Sequence, residues 1–585
     1  MKSFHLSTSC TYILAISALL ASAAVHSDAL SYQFSLDDYL HLYQAANTGF
    51  VEFVMTPHGF HLYQTRNAIF YLLYKLFGVR ADCYLAVVLA NHLLNVFLLF
   101  QVIRNLTSRP LLAAFGAAMW GMSPVNRGCL GWYSAHGIVL VVTCLLWILY
   151  DLSLASRGNG TGEPITGLRL AKWYLLLLAA ATSYGAGFGI AMFFGFILWF
   201  FLGPGAQRSK VAAAMLPLLV LLPLSYLGLH RSYEMLSGSP AEPGGGLYGL
   251  GQRVLLDPRF WLGALKMWVA MIAYGVSSLV FGPLMAFGVG GIGVGPLRGV
   301  GARAVLLVSL GSLVVFASLL IWMLFTVARA RRHQVVALGV LVGLAYGTIA
   351  VGRWGMYSVL GFSVHQVFTV PRYHYIGPAF VTVILCLLLS EVRMGRLIRG
   401  WKIPALVLVL WMIVSVGLDR QAARRMVFTD ASEQGMEYAT EISSIREQIA
   451  GSPEGSDVYI ENTRLRFIRV WAGTVRFPHK AALFVMTFPE NRVGDRRVFF
   501  IERDRDAVKE LRRRPDTRIS GLIVSPEEVP GAYFKASPGP NKINGSEGIL
   551  KQVPGDRHEK TRQKGGASRS ANPFYKRRER TSTPP

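Results

Sequence analysis

Carboxylates are scarce in this chain. Its 585 residues hold 33 aspartates and glutamates against 58 lysines and arginines, for a formal net charge of +25. Before residue 420 the acids are Asp28, Asp37, Asp38, Glu52, Asp82, Asp151, Glu163, Glu234, Glu242, Asp257, Glu391 and Asp419, and none falls in the middle of an apolar run. That placement counts against a proton- or sodium-coupled transporter, whose ion path needs ionisable groups at membrane depth. Cysteine is also sparse. Cys10, Cys83, Cys129, Cys144 and Cys386 show no CxxC or metal-ligand spacing and read as buried, inert thiols. Cys83 and Cys129 share the outer face in the topology below, where a disulfide between them is a further option. No internal repeat is evident.

What the chain has in quantity is apolar sequence. It is 52% hydrophobic, with runs such as "YLAVVLANHLLNVFLLF" and "AVLLVSLGSLVVFASLLIWMLFTVA". A helix that crosses a bilayer needs about 20 mostly apolar residues, so these runs predict a mainly α, polytopic transmembrane bundle of about 11–13 helices. Residues 1–25 form a first helix or a signal-like segment ending in "LLASAAVHS", read as retained. Residues 26–82 form an outer loop whose "HLYQTRNAIFYLLYKLFG" reads as an amphipathic surface helix. The bundle occupies 83–419, with crossings at 84–103, 111–125, 135–150, 173–184, 186–202 and 212–229, then 304–328, 335–351, 374–392 and 403–418. The stretch 262–302, with its Gly-rich "FGVGGIGVGPLRGVG", admits either an even number of crossings or a re-entrant loop. Basic turns at Arg104/Arg109, Arg157/Arg169/Lys172 and Arg208/Lys210 fall on one side, which the positive-inside rule makes cytoplasmic. The basic charge therefore suits loops and anionic lipid better than nucleic acid.

Beyond residue 420 the pattern changes. In 420–530, "DVYIEN", "RRVFFIE" and "RISGLIVS" read as strands, and "SEQGMEYATEISSIREQI" and "DAVKELRRR" as helices, predicting a small α/β domain outside the cytoplasm. Residues 531–585, rich in Gly, Ser, Pro and Lys/Arg, read as a disordered basic tail.

Chemistry concentrates at the outer face. In "FSLDDYLHLY", Asp37 and Asp38 stand close to the membrane plane, where a lipid-borne head group is presented, and either could act as a base. The same spacing, Ser35 with an acid three residues on, also fits a helix cap. Arg66, Arg80, Arg127, Arg231, Arg353 and Arg372 all fall outside in this topology, against the usual charge bias. A phosphate ligand would account for some of them, and snorkelling to lipid head groups for others. His41, His58 and His61 share the loop with the acids, although such spacings are common by chance for a metal site. Asn91, His92 and Asn95 read as helix–helix hydrogen-bonding groups. The sequons at Asn105 and Asn159 fall on the cytoplasmic side, while that at Asn544 lies in the tail.

The order of these features carries a resemblance. An outer loop with an acidic pair, a surface helix, then "NHLLNVFLLFQVIRNLTSRPLLAAFGAAMWGMSPVNRGCLGWYSAHG" and a late "PRYHYIGPAF" resemble the GT-C superfamily of integral membrane glycosyltransferases, particularly its protein O-mannosyltransferase-like branch. In that resemblance the "GWYSAHG" stretch looks like the turn from third to fourth helix, and "RYHY" like a late Arg-Tyr motif. It implies inverting transfer of a sugar from a polyprenyl-phosphate donor to a lipid, glycan or protein acceptor, on the extracytoplasmic face of a bacterial-type inner membrane. Asp37 or Asp38 would serve as catalytic base, and Arg372, Arg66 and Arg353 would hold the donor phosphate. Tyr373, His374, His136 and Trp132 would line the substrate pocket. A divalent metal, Mg or Mn, beside Asp37/Asp38 is used by some relatives and not by others. The chain departs from the family where an Arg-Pro is common, having "TRNAIF", and in its Gly-rich 285–302 stretch. The alternative from another class is a non-catalytic, flippase-like carrier of lipid-linked glycans.

Overall fold

The computed structural model describes residues 8–425 except 35–37, 39–40, 43, 46–47, 57–60, 156–164, 203–205, 238–256, 289–299, 327–328, 360–362 and 392–401. Beyond 425 it describes positions 451 and 454 and six short strands. Within those residues the chain is a helical bundle. The helices used below are α1 (Thr8–His26), α2 (Gln64–Phe77), α3 (Ala81–Thr107), α4 (Pro110–Gly121), α5 (His136–Ala155), α6 (Gly167–Ala181), α7 (Gly185–Met192), α8 (Phe194–Phe201), α9 (Pro217–Ser237), α10 (Pro258–Gly288), α11 (Val300–Thr326), α12 (Arg329–Val359), α13 (Ile376–Glu391) and α14 (Lys402–Arg425).

Nine helical segments among the described residues are long and apolar enough to cross a membrane, fewer than the 11–13 that hydropathy predicts. The difference lies in three segments. The predicted 111–125 crossing is the 12-residue α4, about 18 Å long, short of the roughly 30 Å hydrocarbon layer. The 173–184 crossing is the end of the 15-residue α6. The 186–202 crossing breaks at Phe193 into two eight-residue helices, α7 and α8. An apolar window registers all three as spans, because it reads hydropathy and not where the backbone turns. The ambiguous 262–302 stretch opens with one continuous 31-residue helix, α10.

Two ends of the bundle differ in chemistry. At one end ion pairs close the helices, Lys172 Nζ on Asp151 Oδ2 at 2.8 Å and Arg331 Nη1 on Glu391 Oε1 at 2.9 Å. At the other end α3 begins, α5 begins, α6 ends, α12 ends and the 371–375 turn leads into α13, so arginines, tyrosines and histidines converge there. Polar glue deeper in the bundle fixes that convergence. The Gly121 carbonyl lies 3.0–3.1 Å from Ser22 Oγ, His26 Nε2 and His92 Nε2. His92 Nδ1 is 2.7 Å from the Tyr375 hydroxyl, which Asn95 Nδ2 also reaches at 3.3 Å. Asn91 Nδ2 donates to Thr143 Oγ1 at 3.0 Å. The three polar residues of α3 thus make the interhelical bonds their spacing suggests, and α1 is a packed member of the bundle through Ser22.

Two of the arginines singled out by sequence, Arg127 and Arg80, are ion-paired. Arg127 donates to the His26 carbonyl at 2.9 Å and pairs with Asp28, whose other oxygen takes Arg424 Nε at 2.7 Å. Arg80 pairs with Asp82 at 2.7 Å. These contacts, not phosphate, account for two of the arginines that the charge bias singles out. Cys83 and Cys129 are both free thiols, so the disulfide option is not realised. Asn105 is buried and donates to Ser153 Oγ at 2.9 Å, which removes it as a modification site.

In the C-terminal region β1 (Asp457–Glu461) runs parallel to β5 (Arg496–Glu502), with Tyr459 opposite Phe499. The strands β4 (Arg492–Val493) and β6 (Ala532–Phe534) pair antiparallel with β5, and β2 (Phe467–Arg469) with β3 (Arg476–Pro478). "DVYIEN" and "RRVFFIE" are strands as expected. The 432–449, 506–514 and 518–525 elements lie outside the described residues.

Close packing near the site depends on bare backbone. A Cβ on Gly275 or Gly377 would stand 2.0 and 2.2 Å from Tyr346 ring and hydroxyl atoms. Gly275→Ala or Gly377→Ala is therefore expected to lower stability by about 1–3 kcal/mol, as overpacking does. Melting of the detergent-solubilised protein checks this, and an unchanged midpoint for both variants contradicts the packing described.

Candidate active site

The "GWYSAHG" motif occupies the turn between α4 and α5, as a 3-10 turn at Tyr133–Ala135. Its consecutive side chains face different partners. Ser134 donates to Asp38 Oδ1 twice, from its backbone N at 2.8 Å and from Oγ at 2.6 Å. The Ser134 carbonyl accepts from Arg66 Nη1 at 3.4 Å. One residue thereby holds a carboxylate and a guanidinium side by side. Asp38 is only 1% exposed, and Arg66 equally so, which makes that bonding a requirement of burial.

Arg66 projects from the first turn of α2 into the protein. Its Nη2 lies 2.9 Å from His41 Nε2 and 2.7 Å from Asn67 Oδ1, and its guanidinium stacks 3.9 Å over the Tyr63 ring. The inward face of α2 buries Phe70 and Leu73 together with Arg66 and Asn67, and its outer face carries exposed Leu72 and Leu76 beside Lys75. Exposed leucines beside a lysine suit a helix lying against lipid.

A second basic group adjoins the first. Arg353 near the end of α12 lies 2.9 Å from His61 Nε2, and His61 stacks on Tyr184 with ring centroids 4.8 Å apart. His61 also meets Tyr63, at 5.2 Å. Arg353 and Arg372 both face Tyr373, at 6.0 and 5.0 Å from its ring, and the Tyr373 hydroxyl is 2.8 Å from that of Tyr357. Arg372 in turn lies 5.1 Å from the Trp132 ring. The contacts close a circuit from Asp38 through Ser134, Arg66, Tyr63, His61, Arg353, Tyr373 and Arg372 to Trp132, two residues from Ser134. Gly128 lets the two turns meet: a Cβ there would be 2.6 Å from the Arg372 backbone nitrogen. Beside it, burial pushes the Cys129 thiol pKa up, so this thiol stays protonated and inert.

A cavity of about 1110 Å³ ends at this circuit. His61, Tyr184 and Arg353 line its polar end, and Phe188, Met192, Tyr226, Trp261, Trp268 and Leu344 its apolar walls. Gly339, Gly343, Gly347, Gly352 and Gly355 of α12 run along it, spanning about 24 Å at 1.5 Å per residue. Added Cβ atoms at Gly339 and Gly352 would meet nothing within 4 Å, so the missing side chains are part of the space. Two of its lining residues, Trp261 and Leu265, are 46% and 51% exposed, which opens the cavity sideways toward the lipid-facing surface.

Of the site residues expected from sequence, the structure brings together Asp38, Arg66, Arg353, Arg372, Tyr373 and Trp132. His136 stands beside them. His374 does not join them: it is buried in the core, with Nε2 2.6 Å from the Phe368 carbonyl and Nδ1 3.1 Å from the Tyr346 hydroxyl. Both ring nitrogens are engaged, so this histidine holds the 368–374 turn. Asp37 and His58 lie outside the described residues. No group of three or more His, Cys, Asp or Glu among the described residues is placed to hold a metal ion; His41 and His61 each face an arginine instead. Sequence reading missed Ser134, Tyr63, Tyr184 and Tyr357. Ser134 sat inside a quoted motif, but a serine there has no spacing that reveals its partner 96 residues away.

No protein-family model matches the chain, and no curated protein matches it. Among solved structures, it is similar to the oligosaccharyltransferase of Archaeoglobus fulgidus tethered to an acceptor peptide, at 14% identity and a TM-score of 0.42, over 78% of this chain and 62% of that one. The chain thus spans about three fifths of that enzyme's length. It is also similar to ArnT from Cupriavidus metallidurans in a structure bound to undecaprenyl phosphate, at 13% identity and a TM-score of 0.34, over 90% and 98% of the two chains.

Ser134→Ala removes the 2.6 Å donor to a buried carboxylate and is expected to lower stability by about 1–3 kcal/mol. Ser134→Thr, which keeps the hydroxyl, should recover most of that loss. Equal melting temperatures for wild type and Ser134→Ala contradict the role given to this bond.

Proposed function

We propose that this chain is an integral membrane glycosyltransferase that moves a sugar from a polyprenyl-phosphate donor to an acceptor on the extracytoplasmic face. The observation that carries this reading is the apolar cavity, open toward lipid, that ends on Arg353, from which side-chain contacts through Tyr373, Arg372 and Trp132 lead to the turn that holds the buried Asp38. A long apolar chain with an anionic head fits that sequence of surfaces. The isoprenoid lies along the glycine face of α12, and Arg353 and Arg372 meet the phosphate, with Arg66 close to the reacting sugar.

The chemistry follows from that pose. Asp38, or its neighbour Asp37, takes the proton of the acceptor's nucleophilic group, and the freed lone pair attacks the anomeric carbon from the side opposite the phosphate. The bond from that carbon to the phosphate oxygen breaks as the new bond forms, inverting the configuration. Polyprenyl phosphate leaves with an added negative charge, which the guanidinium groups stabilise. Within this reading the C-terminal domain lies on the same side as the site, in a bacterial-type inner membrane.

Transfer of labelled sugar by the purified protein tests the reading. Asp38→Asn is expected to lower the rate about 10²–10⁴-fold, the usual contribution of a general base, while still binding polyprenyl phosphate. Arg353→Gln and Arg372→Gln should each weaken polyprenyl-phosphate binding about tenfold or more, as loss of a charge-assisted bond does. If folded Asp38→Asn transfers sugar at the wild-type rate, the catalytic assignment is lost. If wild type moves the lipid between leaflets without transferring sugar, the carrier alternative stands instead.

A further inference from the structure

We infer that Tyr133 and His136 form a hydroxyl-reading pocket for the sugar of the lipid-linked donor. The inference rests on the function proposed above and adds the part of the substrate that these two residues contact.

Both residues are about 1% exposed. Their rings lie 5.2 Å apart, at the start of α5. The Tyr133 hydroxyl and both His136 ring nitrogens have no hydrogen-bond partner among the described residues. Three such atoms in one place are unusual, because buried polar groups are nearly always bonded. Elsewhere in this bundle His92 and His374 use both ring nitrogens and His26 uses one, whereas His136 uses neither among the described residues. Tyr133 and His136 are thus built like a polar surface kept for something other than the fold.

Their position says what that is. Ser134, between them, holds Asp38 and Arg66. Trp132, just before them, packs under Arg372. Gly137, just after, runs so close to the α6–α7 turn that a Cβ would stand 2.1 Å from the Ser183 carbonyl, and the next residue of that turn, Tyr184, lines the polar end of the cavity. The pair therefore flanks the residue that holds Asp38 and Arg66, with the Tyr133 ring packed 5.2 Å from those of Phe70 and Tyr84. A sugar whose anomeric carbon is turned toward Asp38 brings its hydroxyls to the turn that carries this pair. Its hydroxyls both donate and accept, which matches a phenol and an imidazole that has one nitrogen of each kind.

The test measures binding of full-length protein in lipid nanodiscs to bare polyprenyl phosphate, polyprenyl-phosphate mannose and polyprenyl-phosphate glucose. Wild type is expected to bind at least one glycosylated lipid about tenfold more tightly than bare polyprenyl phosphate, the gain from one or two hydroxyl bonds. Tyr133→Phe and His136→Asn should abolish that preference while leaving affinity for bare polyprenyl phosphate unchanged. Tyr133→Phe should also melt no lower than wild type without donor, since it deletes an oxygen that bonds nothing in the fold. Retention of the wild-type preference by both variants overturns the assignment, as does a wild type that binds the bare lipid but prefers neither sugar. A wild type that fails to bind bare polyprenyl phosphate defeats the underlying function, and the sugar pocket with it.

Discussion

The bond from Ser134 to Asp38 is the contact on which the site depends. A buried carboxylate needs donors, and the chain supplies two from one residue of a 3-10 turn. That turn cannot move without moving Trp132 beneath Arg372, Arg66 on the Ser134 carbonyl, and the start of α5. Segments more than 90 residues apart are thereby locked into one arrangement. The deeper network around Gly121, His92 and Tyr375 supports it from below, because Tyr375 closes the same 371–375 turn that carries Arg372 and Tyr373.

The lipid-facing half follows a different logic. Around α12 the chain uses glycine where a bundle of this kind would ordinarily pack larger side chains, so the helix offers a wall without knobs. Aromatic residues from α7, α9 and α10 stand across from it and keep the space apolar until Arg353. Charge and apolar surface are thus set end to end, with the charged part held in place by aromatic rings and histidines. Guanidinium groups stacked on tyrosine and tryptophan keep their charge available while their planes are fixed.

Much of this was legible in the amino-acid sequence. The long apolar runs declared a polytopic bundle, and the absence of acids within them placed the chemistry at one end. The amphipathic α2 and the polar face of α3 followed from spacing alone. The ordered motifs singled out Asp38, Arg66, Arg353, Arg372, Tyr373 and Trp132, which the structure gathers. Other features were hidden for physical reasons. Hydropathy cannot distinguish one long helix from two short ones broken at Phe193, so the expected spans outnumber the nine helices among the described residues that are long and apolar enough to cross. A histidine in "RYHY" looks the same whether it lines a pocket or, as His374 does, bonds a backbone carbonyl and a tyrosine inside the core. The roles of Ser134 and Tyr184 arise from long-range approach and leave no local pattern.

The most direct measurement is an experimental structure of the full chain in a lipid nanodisc with polyprenyl phosphate bound. The account predicts the phosphate between the Arg353 and Arg372 guanidinium groups, with the isoprenoid running beside Gly343 and Gly347 of α12. A lipid bound elsewhere on the bundle, with its phosphate away from both arginines, would contradict it.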